Sequence, residues 1–136
     1  MQNTIEKENY LKVVYKMEEK SQKTSVTFLS KHFNVSKSTV SNMIKKLVVM
    51  NLIENRPYKP IILTKNGRQD ALKIIAKHRL IELYLVEKMQ FSLDEVHDIA
   101  EEIEHIKNKK FFNRMKKILG NAKIDPHGSI IPKYDF

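Results

Sequence analysis

Residues 97–105 read HDIAEEIEH, which places two histidines and four carboxylates in nine positions. No lysine or arginine falls between Met89 and Ile106, although the chain is otherwise rich in lysine. At about 100° per residue, a helix through this stretch puts His97, Glu101, Glu104 and His105 on one flank, at i, i+4, i+7 and i+8. Val96, Ala100, Ile103 and Ile106 form the apolar arc beside them, and Asp98 and Glu102 face solvent. Carboxylates gathered beside a buried stripe are costly without counter-charge, and a divalent cation removes that cost. Imidazole and carboxylate donors without a thiolate suit manganese, ferrous iron, zinc or cobalt. His78 and Glu82 form another i,i+4 pair that can complete such a site from a second helix. The competing reading is a solvated acidic helix with ordinary polar histidines. Glu102-x-x-His105 also matches the Glu-x-x-His of four-helix di-iron proteins, but no second copy lies in suitable helical context.

The opposite charge dominates upstream. From Ser21 to Arg68 the basic residues are Lys23, Lys31, Lys37, Lys45, Lys46, Arg56, Lys59, Lys65 and Arg68, and Glu54 is the single acid. Val26, Leu29 and Phe33 give a short helix, Asn34-Val35-Ser36 a turn with Ser36 as N-cap, and Val40, Met43, Ile44, Leu47 and Met50 a second helix. Two short helices joined by a tight turn and followed by a basic hairpin are the sequence form of a winged helix-turn-helix. The outward face of the second helix carries Ser36, Lys37, Ser38, Thr39, Ser41, Asn42 and Lys45. Hydroxyls and an amide can reach base edges in a major groove, and lysines can hold phosphates. The wing offers Arg56, Tyr58 and Lys59. Taken alone, a Ser/Thr/Asn/Lys face is the wet side of any surface helix; the turn, the wing and the scarcity of acids together favour duplex DNA.

Further elements position these two sets. Ile5, Tyr10, Leu11, Val14, Tyr15 and Met17 predict a helix over 4–20, and 61–63 a short β run. Thr64 can cap a long helix over 65–89, in which Gly67 is tolerated. Ser92 and Glu95 form a capping box for the helix that carries the acidic stretch. A last helix runs over 109–119 and ends at Gly120. The expected fold is mainly α, a winged helix-turn-helix over 1–70 followed by an all-helical domain over 71–136.

The whole chain has 136 residues and a net charge of +9. No cysteine is present, so disulfides and thiolate metal sites are excluded. No signal core and no run approaching the roughly 18 apolar residues of a membrane span appears, so a cytoplasmic protein without a membrane partner is expected. With three glycines, no glycine-rich phosphate loop, no H-E-x-x-H and no nucleophile elbow, nothing suggests an enzyme or a small-molecule substrate.

Six segments occur in order that resemble the diphtheria toxin repressor family of metal-dependent regulators: ENYLKVVYKMEE, VSKSTVSNMIKKL, LIENRPYKPIILTKNGR, KHRLIELYLVE, DEVHDIAEEIEHI and DPHGSIIP. The resemblance spans nearly the whole chain and includes the short manganese transport regulators. It implies a homodimer whose helical domain binds metal, a palindromic operator, and repression of metal-uptake genes. It makes Glu101, Glu104 and His105 metal ligands, with His78 another. Glu82 and His97 match the ancillary site of the iron-responsive branch, and Asn9 stands at a first-helix ligand position. Ser36, Ser38, Thr39, Ser41 and Asn42 match the DNA-facing part of the recognition helix. Glutamate at 101, where the iron branch has cysteine, favours the harder ion, Mn(II), over Fe(II). Against this, Asn9 and Lys12 stand where the manganese branch has aspartate and glutamate, which weakens a second cation site or requires another construction of it. A third, SH3-like domain is not expected. The implied mechanism is a cation held by both domains, which narrows the dimer to spacings that fit successive major grooves. The alternatives are a metal-independent winged-helix regulator and a metal-binding protein whose basic half contacts RNA.

Overall fold

The computed structural model describes residues 2–136, with side chains from Thr4 onward. The chain is mainly helical and divides into two compact units, Met1–Ala71 and Leu72–Phe136.

The first unit is a winged helix-turn-helix built from α1 (Gln2–Glu19), α2 (Val26–Phe33), α3 (Lys37–Val49), a hairpin of β1 (Ile53–Glu54) and β2 (Ile62–Leu63), and the start of α4 (Lys65–Met89). Ser25 caps α2 by accepting from Phe28 N–H at 3.0 Å. Asn34 ends α2 in the left-handed region at φ 53°, a conformation asparagine tolerates better than most residues. Ser36 then starts α3, its Oγ accepting from Thr39 N–H at 3.0 Å, as the sequence predicts. The helices bury their apolar stripes together: Val14 of α1, Leu29 of α2, and Val40, Ile44 and Leu47 of α3 are almost fully enclosed. Each such side chain contributes about 1.5–3 kcal/mol relative to exposure.

The hairpin pairs Ile53 with Leu63 and Glu54 with Ile62, antiparallel. The expected β run over 61–63 is divided, because Ile61 bridges instead to Thr24, with its N–H donating to Thr24 O at 3.0 Å. The wing is thereby fastened to the segment that leads into α2. Glu18 fastens β2 to α1 and α4: Oε1 accepts from Leu63 N–H at 3.0 Å and Oε2 pairs with Arg68.

Gly67 is required rather than merely tolerated. A Cβ there would stand 1.8 Å from Leu52 O. The first turn of α4 thus lies directly on the chain entering β1, while Thr64 Oγ1 caps α4 by accepting from Gly67 N–H at 3.0 Å.

The second unit holds the rest of α4, α5 (Leu93–Ile103), α6 (Lys109–Leu119) and the terminal segment. Ser92 N–H donates to Glu95 Oε2 at 3.1 Å, in the expected capping box. Gly120 follows α6 at φ 69°. Leu80, Ile81 and Leu85 of α4 pack with Val96 and Ala100 of α5 and Phe112 and Met115 of α6. Beyond α6, Ile124 and Ile130 bridge across a turn in which Asp125 Oδ1 accepts from His127 N–H at 2.9 Å and from Ser129 N–H at 2.8 Å.

Candidate metal centre and nucleic-acid interface

The long helix α4 presents His78 and Glu82 one turn apart, and both are buried, at 2% and 3% exposure. Few side chains of this kind are enclosed without a compensating partner. Here His78 Nε2 lies 3.1 Å from Glu82 Oε1, and His78 Nδ1 lies 3.2 Å from Glu104 Oε1. His97 of α5 meets the His78 ring edge to face, with centroids 5.0 Å apart. Its Nδ1 stands 4.0 Å from Glu82 Oε2, and its Nε2 stands 3.0 Å from Glu101 Oε1. Thus six of the predicted residues are placed in the second unit, and five of them (His78, Glu82, His97, Glu101 and Glu104) are linked side chain to side chain.

Two details depart from the sequence reading. Helix α5 ends with Glu104 as its C-cap, still in right-handed helical conformation with its N–H on Ala100 O; Glu104 continues the row of Val96 and Ala100 at i+8 and i+4 and is fully buried instead of lying on a flank. His105 follows in the turn, half-buried, and belongs to neither of the two closest donor groups, which are His78, Glu82 and His97, and Glu82, Asp125 and His127. Asp98 and Glu102 are exposed, as expected. Asn9 lies half-buried on α1, in the first unit.

The second donor group was not foreseen from the residues. His127 Nδ1 lies 3.5 Å from Glu82 Oε2, and Asp125 is buried beneath the same turn. Both residues belong to a short polar turn with no periodicity to link it to a helix. The DPHG run, an aspartate that can accept from backbone amides two residues on, was the available signal.

Glu82 is the residue common to both groups. Burial pushes its carboxyl up, but the hydrogen bond from His78 and the charges of His78, His127 and His97 outweigh burial and hold it below the usual range. Its Oε2 is nonetheless enclosed without a hydrogen-bond partner among the described residues. A buried carboxylate oxygen in that state, facing imidazoles, is the feature a bound cation would complete. The donor set therefore fits a divalent transition metal.

On the first unit, Lys37, Ser38, Thr39, Asn42 and Lys45 are exposed on α3, and Ser41 is half-buried. Ser36 is exposed too, but its Oγ is engaged at the cap and lies 2.9 Å from Thr39 Oγ1. Two of the hydroxyls predicted to face DNA therefore also serve the helix start. At the wing tip Tyr58 is wholly exposed and left-handed, at φ 60°. Arg56 sits 3.7 Å from Glu54, and Lys59 is exposed.

This pairing of a basic winged helix with a buried imidazole–carboxylate cluster has counterparts. Residues 3–61 match the iron dependent repressor N-terminal DNA binding domain, and residues 64–133 match the iron dependent repressor metal binding and dimerisation domain. The chain belongs to the iron-dependent, or diphtheria toxin, repressor family. It is 33% identical over 117 residues to an uncharacterized HTH-type transcriptional regulator of Methanocaldococcus jannaschii, covering 85% of this chain and 94% of that protein. It is 30% identical over 125 residues to the iron-dependent repressor IdeR of Mycobacterium tuberculosis, covering 92% of this chain and 54% of the relative. A solved manganese-dependent transcriptional repressor complex with manganese superposes with a TM-score of 0.88 at 38% identity, covering 95% of this chain and 59% of that one. The chain thus spans little more than half the length of the last two. The family is one of transcriptional repressors, not enzymes. No described helix is long and apolar enough to cross a membrane.

Proposed function

We propose that this family member is a metal-gated repressor. It binds duplex DNA as a homodimer when loaded with a divalent transition metal, Mn(II) in preference to Fe(II). The observation that carries the reading is Glu82, a buried carboxylate shared by two donor groups, with an oxygen that no hydrogen bond reaches among the described residues. His78, Glu82, His97, Glu101, Glu104 and His105 would hold the cation, with Asn9 a further ligand from α1. Asp125 and His127 extend the donor set on the other side of Glu82. A bound cation would add positive charge among the carboxylates of Glu82, Glu101 and Glu104. Carboxylate and imidazole without thiolate support manganese, as does the manganese-dependent relative; the iron-dependent relative supports the Fe(II) alternative.

Lys37, Ser38, Thr39, Ser41, Asn42 and Lys45 would address the major groove, with Ser36 setting the start of the helix. Arg56, Tyr58 and Lys59 would follow the neighbouring backbone. Two recognition helices in a symmetric dimer read a palindromic operator in successive major grooves. Control of metal-uptake genes in the cytoplasm is the setting consistent with this chemistry.

The test is selection of duplex DNA from a random pool by metal-stripped protein, with and without Mn(II), then with Fe(II) and Zn(II). A palindrome enriched only with metal is the expected result, with manganese most effective. Equal enrichment without metal would leave a winged-helix DNA binder and remove the gate.

A further inference from the structure

Lysine is rarely buried unless its charge is matched, and Lys77 is only 4% exposed. It precedes His78 on α4. Its Nζ donates to Ile106 O at 2.9 Å and stands 4.6 Å from the centroid of Phe112, which is itself fully enclosed on α6. Ile106 lies just beyond Glu104 and His105, and its own N–H donates to Ile103 O at 3.0 Å. Helix α5 therefore ends in a tight turn, and the carbonyl of the residue just past that turn is held by a cation from another helix. The sequence of α5 supplies no such cation: its first turn holds Asp94 and Glu95, and its last turn has no basic residue. A positive group just past a helix C-terminus complements the helix dipole. The ring face of Phe112 offsets part of the cost of burying the ammonium.

We infer that Lys77 is a positioning residue for the metal response: it fixes the 104–106 turn so that Glu104 is presented toward the His78–Glu82 pair. The inference rests on the metal reading above. Lys77 contributes no metal ligand, because an ammonium has no lone pair to give. It acts through the carbonyl of Ile106, and its stem and head knit α4, the end of α5 and α6 at one point.

The test uses the full chain with Lys77→Met, which keeps the stem but removes the donor, and Lys77→Arg, which restores one. In metal-free protein, hydrogen exchange of the peptide covering 104–106 should accelerate about tenfold in the Met variant and stay near wild type in the Arg variant. The Mn(II) midpoint, read by the EPR signal of free ion, should weaken about tenfold in Lys77→Met, the size usual for loss of an outer partner of a metal site. In a Glu104→Gln background the same substitution should change the midpoint less than about twofold, since coupled residues are non-additive. In a His127→Ala background it should keep its full effect. If Lys77→Met does not fold, Lys77→Gln, whose amide is too short to reach Ile106 O, is measured in its place. Wild-type exchange at 104–106 together with a wild-type Mn(II) midpoint would overturn the inference, as would equal effects in the Glu104→Gln and His127→Ala backgrounds. A wild-type protein that takes up no metal would instead overturn the metal reading, and the exchange experiment would still decide what Lys77 holds.

Discussion

Replacing Glu82 by glutamine keeps the shape of the side chain and removes one charge from the centre of the cluster. In the metal-free protein Oε1 lies 3.1 Å from His78 Nε2, and a charge-assisted hydrogen bond of about 1.5–3 kcal/mol becomes a neutral one of about 0.5–1.5 kcal/mol. The expected loss of folding stability near neutral pH is therefore about 1 kcal/mol, or a fall in Tm of roughly 3–5 °C for a chain of this size. The loss depends on pH in a definite sense. The folded carboxyl is held below its usual 4.5, so its contribution is present above that range and disappears as pH falls through the folded value. Wild type and Glu82→Gln should converge in stability on the acid side. Metal binding should respond more strongly. Loss of an outer-sphere partner costs about 10–100-fold in affinity, so removing a ligand shared by both donor groups should cost at least about 100-fold, or about 2.7 kcal/mol. Thermal melts with and without chelator, alongside calorimetric Mn(II) titration, measure the two quantities. An affinity within about threefold of wild type, with the melt behaving as stated, would refute the placement of the cation at Glu82.

Gly67→Ala should destabilise the first unit by about 3 kcal/mol or more, because the new methyl meets the Leu52 carbonyl and backbone must move; urea unfolding followed by circular dichroism checks it, and a neutral outcome would mean that α4 and the β1 entry are not packed as described. Ser36→Ala should cost about 1 kcal/mol of stability through loss of the α3 cap, whereas Asn42→Ala should leave the melt unchanged and reduce operator discrimination by about 1–3 kcal/mol; fluorescence anisotropy on cognate and scrambled duplexes separates the two effects. Asn9→Asp should tighten Mn(II) binding by supplying a carboxylate in place of an amide oxygen, and an unchanged calorimetric titration would place Asn9 outside the ligand set.

Much of this fold is legible because local rules and tertiary packing agree. Ser36, Ser92, Thr64 and Gly120 mark helix ends by mechanisms internal to a few residues, and the structure uses each of them there. The apolar spacing of α2 and α3 likewise identifies Leu29, Val40, Ile44 and Leu47 before any packing is known. What sequence alone left out depends on approach between segments far apart in the chain. Gly67 looks like an ordinary helix-weakening residue until Leu52 O is found beside it. Asp125 and His127 sit in a turn whose partner, Glu82, is more than forty positions earlier.

Glu104 is the informative case. The sequence reading groups it with Glu101 on a flank, whereas Glu104 keeps helical conformation and continues the buried row of Val96 and Ala100 at i+8 and i+4. Glu104 therefore faces inward to His78, and the Ile106 carbonyl past the helix end is taken by Lys77. A periodic rule can find the acids and histidines of such a cluster. It cannot tell where the helical conformation ends, and in this chain His105 follows the C-cap, Glu104. The geometry of the cluster is therefore set by a helix terminus and a buried lysine on another helix, and a substitution that extends α5 by one turn should disturb it as surely as loss of a ligand.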